Sequence, residues 1–191
     1  MTTLTTSRLT ISPMSLGDSQ LQFELDQDPM VMKYINGGRA LSLEEIETVF
    51  MPRFAAYRNL EKGWGLWKVF LEQSQLSGNN FVQAEPYFVG WILIRPMYFF
   101  TDKPRYNDLE IGWRFKQSTW GKGIATESAQ KVIEHLLETQ PDIEYFSAIA
   151  DKQNHASINI MKKLGMRYQG KLEHPDVGDD VEVVLYVKSV D

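Results

Sequence analysis

Apolar and polar residues alternate along Arg8–Met14 (RLTISPM), the pattern of a strand with one buried face, and Pro13 marks its end. Ser15 is placed to cap a helix running to about Gln27, with Asp18 in its first turn. Asp28-Pro29 breaks that helix, and Met30–Ile35 forms another turn before Gly37-Gly38. Ser42 and Glu45 make a capping-box pair ahead of Ile46, Val49, Phe50, Phe54 and Tyr57, whose spacing predicts a helix to about Leu60. Trp64–Glu72 and Tyr87–Arg95 read as neighbouring antiparallel strands around a long polar hairpin loop, Gln73–Pro86. An aromatic loop, Tyr98–Tyr106, then precedes a strand over Asp108–Phe115. Phe99 and Phe100 in that loop either line an acceptor pocket or plug the edge of the core.

Beyond the polar bridge Lys116–Thr119, the spacing of Ala129, Val132, Ile133, Leu136 and Leu137 predicts a helix over Thr126–Thr139. Ile143–Ala150 reads as a strand, and Asn154–Leu164 as a helix closed by Gly165. Met166–Glu173 and Val181–Val187 are the last two strands, joined by a turn at Gly178–Asp180. No repeat, linker or low-complexity stretch interrupts the series, so one domain of generous size is expected.

Composition narrows the function classes. Apolar residues make up 43% and charged residues 24% of the 191 positions, as in an ordinary soluble globular domain. A formal charge of −5 disfavours a broad nucleic-acid face and mildly favours an amine-bearing partner. The absence of cysteine excludes disulfides, cysteine metal sites and a cysteine nucleophile. The opening MTTLTTSRLTIS lacks the pattern of a signal peptide, and no apolar run approaches the ~20 residues of a membrane span. A cytoplasmic monomer or homodimer is expected.

The strongest chemical signal is Trp113–Thr126, WRFKQSTWGKGIAT, which reads as a strand, a tight glycine loop and a helix start. Gly121 and Gly123 let the backbone turn sharply and bring its N–H groups close to a ligand. The free N–H groups and positive dipole end of the following helix favour an anion, phosphate above all, and Lys122 adds charge. The bland reading is a strand-to-helix turn in which the glycines serve geometry alone. The loop is neither a P-loop nor G-x-G-x-x-G, since Thr126 stands at the third glycine position.

These residues resemble the GNAT superfamily of acyl-CoA-dependent N-acetyltransferases. The family signature, Gln or Arg, two residues, Gly, one residue, then Gly or Ala, falls on Trp120, Gly123 and Ala125, with Trp120 replacing Gln or Arg. The run W-G-x-G-x-A-T-E is similar to the branch of ribosomal-protein N-terminal acetyltransferases (RimJ/RimL type). A second block, Asn154-His155-Ala156-Ser157 followed by Lys163-Leu164-Gly165-Met166, matches the family's N-x-x-S…K-L-G-F with Met for Phe. The resemblance covers Arg8 to Lys188 and implies one N-acetyltransferase domain over 1–191. Its fold would be α/β, a central, mostly antiparallel sheet of about seven strands flanked by about four helices.

The resemblance also implies acetyl-CoA as co-substrate, no metal, and roles for particular residues. Trp120, Gly121, Lys122, Gly123, Ile124, Ala125 and Thr126 would hold the pyrophosphate. The backbone of Trp113, Arg114 and Phe115 would pair with the pantetheine arm as an added strand and offer one N–H to the thioester oxygen. Asn154, with Ser157 beside it, would face the pantetheine amides, its other reading being a plain helix cap. Lys163 would sit near a phosphate or else be a solvated lysine.

A lysine-type amine titrates near 10.4 and an α-amino group near 8, so a base helps, and helps a peptide N-terminus less. Glu110 is the candidate base, two residues before Gly112, with Asp108 in reserve; the competing reading places Glu110 on the solvent side of its strand. Many family members carry a tyrosine seven residues after the asparagine as general acid, and here that position is Met161. The acceptor expected is a protein N-terminal amine of ribosomal-protein type. A small amine or aminoglycoside is the alternative, as is a silent acyl-CoA-binding module.

Overall fold

Residues 2–72, 86–172 and 182–190 are described by the structure, a computed structural model. In chain order its elements are β1 (Leu4–Thr5), β2 (Leu9–Pro13), α1 (Ser19–Asp26), α2 (Pro29–Asn36) and α3 (Leu43–Glu45). A π-helical turn over Ile46–Phe50 runs on into α4 (Met51–Tyr57), followed by β3 (Gly65–Leu71), β4 (Tyr87–Met97) and β5 (Arg105–Phe115). Then come α5 (Ile124–Thr139), β6 (Tyr145–Asp151), α6 (His155–Lys163), β7 (Arg167–Leu172) and β8 (Val183–Ser189). The loop expected over Gln73–Pro86 lies, apart from Pro86, outside the described residues, as does the turn at Gly178–Asp180.

One mixed sheet of eight strands results, in the order β1-β2-β3-β4-β5-β6-β8-β7. It is the α/β architecture expected, with one strand more than the seven foreseen: β1 pairs Leu4 with Ile11 and Thr5 with Thr10. Two residues are too few to show any periodicity. Every pairing is antiparallel except β5 with β6.

Strand alternation divides the core between the two faces of the sheet. Val89, Ile92 and Ile94 of β4 join Leu109, Ile111 and Phe115 of β5 under α5, which contributes Ala129, Val132, Ile133 and Leu136. On the opposite face Phe88 and Trp91 of β4 pack with Leu25 of α1 and with Met51, Phe54 and Tyr57 of α4. Each such fully buried side chain contributes about 1.5–3 kcal/mol relative to exposure. Phe99 and Phe100 settle here, edge-on to Tyr57 at 6.0 and 6.2 Å, so they close the core edge.

Local signals decide the helix ends. The capping box forms as its spacing predicts, Glu45 N–H donating to Ser42 Oγ and Ser42 N–H to Glu45 Oε2. The helix expected from Ser15 begins only at Ser19. Asp18 explains the difference: its carboxylate accepts from the Ser15 N–H at 2.6 Å and from Lys68 at 2.9 Å, pinning the turn before the helix. Burial opposes ionisation of Asp18, but these partners outweigh it and hold its carboxyl below the ordinary range.

Two features of β5 prepare the site. Gly90 of β4 lies opposite Phe115 at φ 152°, and a Cβ there would stand 2.2 Å from the Arg114 carbonyl oxygen. Only glycine permits that approach. β5 pairs with β6 only over Asp108–Glu110, against Tyr145–Ser147. Beyond that, β5 keeps β4 to Phe115 and β6 keeps β8 to Asp151, so their facing edges from Ile111 and Ala148 onward are unpaired with each other.

Candidate active site

A cavity of about 550 Å³ occupies the place where β5 and β6 part. Ile111, Gly112, Trp113, Arg114 and Phe115 form one side, Ile149, Ala150 and Asp151 the other. Because successive strand residues face opposite ways, this gap reaches both faces of the sheet.

The glycine loop closes one end. A short 3₁₀ turn, Gln117–Thr119, leads to Trp120, whose indole N–H donates to the Phe115 carbonyl at 2.9 Å. Gly121 and Gly123 take φ of 74° and 75°, the left-handed conformation that favours glycine. Gly123 is the N-cap of α5 and no side chain caps that helix, so its first N–H groups stand without a side-chain partner. Arg8 braces the loop from outside, donating to the Lys122 carbonyl at 2.9 Å and to Glu127 at 2.8 Å. Thr6 also donates to Glu127, at 2.6 Å. Glu127 therefore holds the helix start.

α6 supplies the neighbouring wall. Asn154 caps it, its Oδ1 accepting the Ser157 N–H at 3.2 Å, while the Trp113 indole donates to Ser157 Oγ at 3.2 Å. Ser157 thereby ties α6 to β5 across the cavity. Lys163 lines the cavity from the last turn of α6.

On the α1 and α2 side no local pattern foreshadows the lining. Met30, Val31, Tyr34 and Ile35 of α2 face the cavity with Trp91 and Leu93 of β4. The Tyr34 hydroxyl donates to the Gln153 carbonyl at 3.2 Å, joining α2 to the β6–α6 loop. Behind this wall Trp91 Nε1 donates to Gln22 Oε1 at 2.8 Å, and Gln22 Nε2 to Asp26 Oδ2 at 2.7 Å. Arg114 donates to the other Asp26 oxygen, with its guanidinium 5.0 Å from the Trp91 ring. Gln22 and Asp26 are wholly buried, and Arg114 Nε alone among the described buried side-chain polar atoms lacks a partner.

Of the residues singled out from sequence, Trp113, Arg114, Phe115, Trp120, Gly121 and Gly123 come together on this cavity. So do Ile124, Ala125, Thr126, Asn154, Ser157 and Lys163. Lys122 does not line it, and neither does Glu110. Glu110 is 5% exposed, and its carboxylate accepts from Arg95 Nε at 2.7 Å and Nη2 at 3.1 Å. It is buried rather than on the solvent side of β5. Met161 is 1% exposed and belongs to the core under α5. The described residues contain no group of three or more acidic or histidine side chains able to hold a metal ion.

A family model described as an acetyltransferase (GNAT) domain matches residues 8–167. An "FsC-acetyl coenzyme A-N(2)-transacetylase" from Aspergillus fumigatus is 30% identical over 139 residues, 71% of this chain and 53% of that protein. The chain thus spans about half the length of that fungal relative. An "uncharacterized N-acetyltransferase YnaD" from Bacillus subtilis is 30% identical over 168 residues, 87% of this chain and 84% of its own. Among solved structures, a ribosomal L7/L12 α-N-protein acetyltransferase, RimL, in complex with coenzyme A superposes with a TM-score of 0.74 at 15% identity, covering 100% of this chain and 99% of its own. An aminoglycoside acetyltransferase in complex with coenzyme A gives 0.70 at 16% identity, over 95% and 94%.

Proposed function

The chain belongs to the GNAT acetyltransferase family, and on that premise we propose that it transfers an acetyl group from acetyl-CoA directly to a primary amine. The observation that carries the reading is the gap between β5 and β6, which leads from an uncapped, glycine-fronted helix end to the α2 wall. The helix N-terminus suits a pyrophosphate. The unpaired edge of Trp113–Phe115 suits an extended chain of amides, which can pair with it as a strand would. Asn154 offers a further donor and acceptor beside that edge, and Lys163 a cation. These residues fit the co-substrate. Acetyl-CoA, when bound, supplies the thioester whose carbonyl carbon the amine attacks as the C–S bond breaks.

What remains for the protein is to orient the amine and accommodate its proton. The cofactor groups lie on the α5 and α6 side, so the amine enters from the α1 and α2 side. In this reading Glu110 is a positioning residue rather than the base its place on β5 suggested, because both its oxygens are engaged by Arg95 away from the cavity lining. With that carboxylate occupied, the acceptor that needs least help is an amine with a low pKa. An α-amino group titrates near 8 against about 10.4 for a lysine, and so a protein N-terminus, as in the RimJ/RimL-type branch, is the acceptor we favour. The leaving thiolate needs no obligatory acid, since a thiol titrates near 8.5, and Met161 offers none. The proposed setting is the cytoplasm.

Thiol release from acetyl-CoA in the presence of short peptides tests the reading. With no cysteine to carry the acyl group, initial-rate plots in the two substrates should intersect. Parallel plots with an acetylated protein adduct would overturn direct transfer. Binding of acetyl-CoA without turnover on any amine would leave a silent binding module.

A further inference from the structure

The amine-side wall of the cavity is apolar where a polycation would need carboxylates. Met30, Val31 and Ile35 of α2 meet Trp91 and Leu93 of β4 there. Met30 and Ile35 are 47% and 50% exposed, so the core does not claim them, and together they leave an apolar surface open at the cavity mouth. Among the described lining residues the one carboxylate is Asp151, which accepts the Gln153 N–H at 2.7 Å and sits across the gap on β6. Two further carboxylates stand by the wall: Asp26 is wholly buried and already matched by Arg114 and Gln22, and Asp28 is engaged in capping α2, accepting the Met30 N–H at 2.8 Å. Arg114 also lines the cavity, but its pairing with Asp26 leaves the two without net charge on this side.

We infer that the site selects an amine carrying one positive charge on an apolar body, and rejects acceptors with a second cationic group. The inference deepens the acetyltransferase reading and rests on it. A second ammonium brought against Met30, Val31 and Leu93 would lose water and find no uncommitted carboxylate among the described lining residues of that wall, whereas an alkyl or aromatic body would gain contact. A polyamine or an aminoglycoside is therefore a poor acceptor, and an amine with an aliphatic or aromatic substituent a good one.

Two matched pairs of acceptors isolate the charge. Pentylamine and 1,5-diaminopentane share a carbon chain and differ by one ammonium; tripeptide amides Leu-Ala-Gly and Lys-Ala-Gly differ in the same sense. With acetyl-CoA fixed and thiol release followed at pH 8, the singly charged member of whichever pair reacts should show kcat/KM at least about tenfold higher. Met30→Glu, at an exposed helix position, adds a carboxylate to the wall and should shift that ratio about two- to fivefold toward the doubly charged member. Equal or faster reaction of the doubly charged members, or a ratio that Met30→Glu leaves unchanged, overturns the inference while the acetyltransferase reading stands. Acetylation of no amine in either pair, with acetyl-CoA still bound, removes that reading and the inference with it.

Discussion

Arg95 of β4 and Glu110 of β5 stand opposite each other in register and share two hydrogen bonds, 2.7 and 3.1 Å long, in an almost closed environment. The Arg95 guanidinium also lies 5.7 Å from the Tyr57 ring and 5.5 Å from that of Phe100. The pair therefore clamps the sheet just before the point where β5 leaves β6. Glu110→Gln leaves a buried guanidinium short of its counter-charge, and should cost about 3 kcal/mol in chemical denaturation. Its kcat/KM should keep the wild-type pH profile between pH 6 and 9. The double variant Arg95→Met/Glu110→Leu should regain much of the lost stability and activity together, since apolar replacements can fill such a site. A fall of ~10²–10⁴ in kcat/KM that recovers at high pH would instead make Glu110 the general base.

At Gly123, strain and ligand contact can be separated. Its φ is 75°, and the nearest atom to an added Cβ is Arg8 Nη2 at 3.7 Å. Gly123→Val should therefore lose about 1–2 kcal/mol through its left-handed backbone. It should also weaken acetyl-CoA at least about tenfold, because the branched side chain stands where phosphate must approach. Gly165→Ala is the control: φ is 80°, nothing lies within 4 Å of its added Cβ, and it does not line the cavity. It should show the stability loss alone. Calorimetric titration with acetyl-CoA that finds both variants alike would detach the loop from the cofactor.

What the sequence made legible follows how local each determinant is. The capping box at Ser42, the glycine loop before α5 and the cap at Asn154 are written within four residues, and each formed where its spacing placed it. Ser15 misled because its turn is held by Lys68, 53 positions away in the chain and paired with Asp18. On β5 the residue pattern left Glu110 between a base and a solvent-side residue, because its partner Arg95 comes from another strand. Gly90 drew no notice, since its need for glycine arises only when the Arg114 carbonyl lies opposite. The parting of β5 and β6 and the insertion of β8 between β6 and β7 depend on pairing between distant segments. So does the apolar wall, where α2 reads locally as one more turn.

Asn154 has one observed role, as a helix cap, and one proposed role toward acetyl-CoA, and a change of one group divides them. Its Oδ1 caps α6 through the Ser157 N–H, while its Nδ2 donates to no acceptor among the described residues. Aspartate caps a helix as well as asparagine does but offers no donor. Asn154→Asp should therefore keep the melting temperature within a few degrees and weaken acetyl-CoA by about five- to tenfold, the loss of one hydrogen bond. Asn154→Ala should lose both, with about 1 kcal/mol of stability gone through the cap. If Asn154→Asp binds acetyl-CoA like wild type, the residue is a cap and nothing more.

Asp108 gives the fold a pH dependence whose sign can be worked out. It is 5% exposed, accepts from Ser147 Oγ at 2.7 Å, and has Arg105 Nη1 at 3.5 Å. Burial pushes its carboxyl above the ordinary 3.8; the Ser147 hydroxyl and Arg105 pull it back only in part, and Glu110 adds to the rise. A carboxyl raised on folding means that the native state holds its proton more tightly than the unfolded chain. The stability it contributes is thus fully present below the unfolded value and is lost as pH climbs through the folded one. Asp108→Asn removes this titration but keeps an oxygen for the Ser147 hydroxyl. The difference in melting temperature, variant minus wild type, should therefore increase from about pH 4 upward and level off once the native carboxyl is ionised. Melts at half-unit steps between pH 3 and 7 would show it. A difference that falls as pH rises would mean that Arg105 and Ser147 outweigh burial and that Asp108 stabilises the fold as a carboxylate.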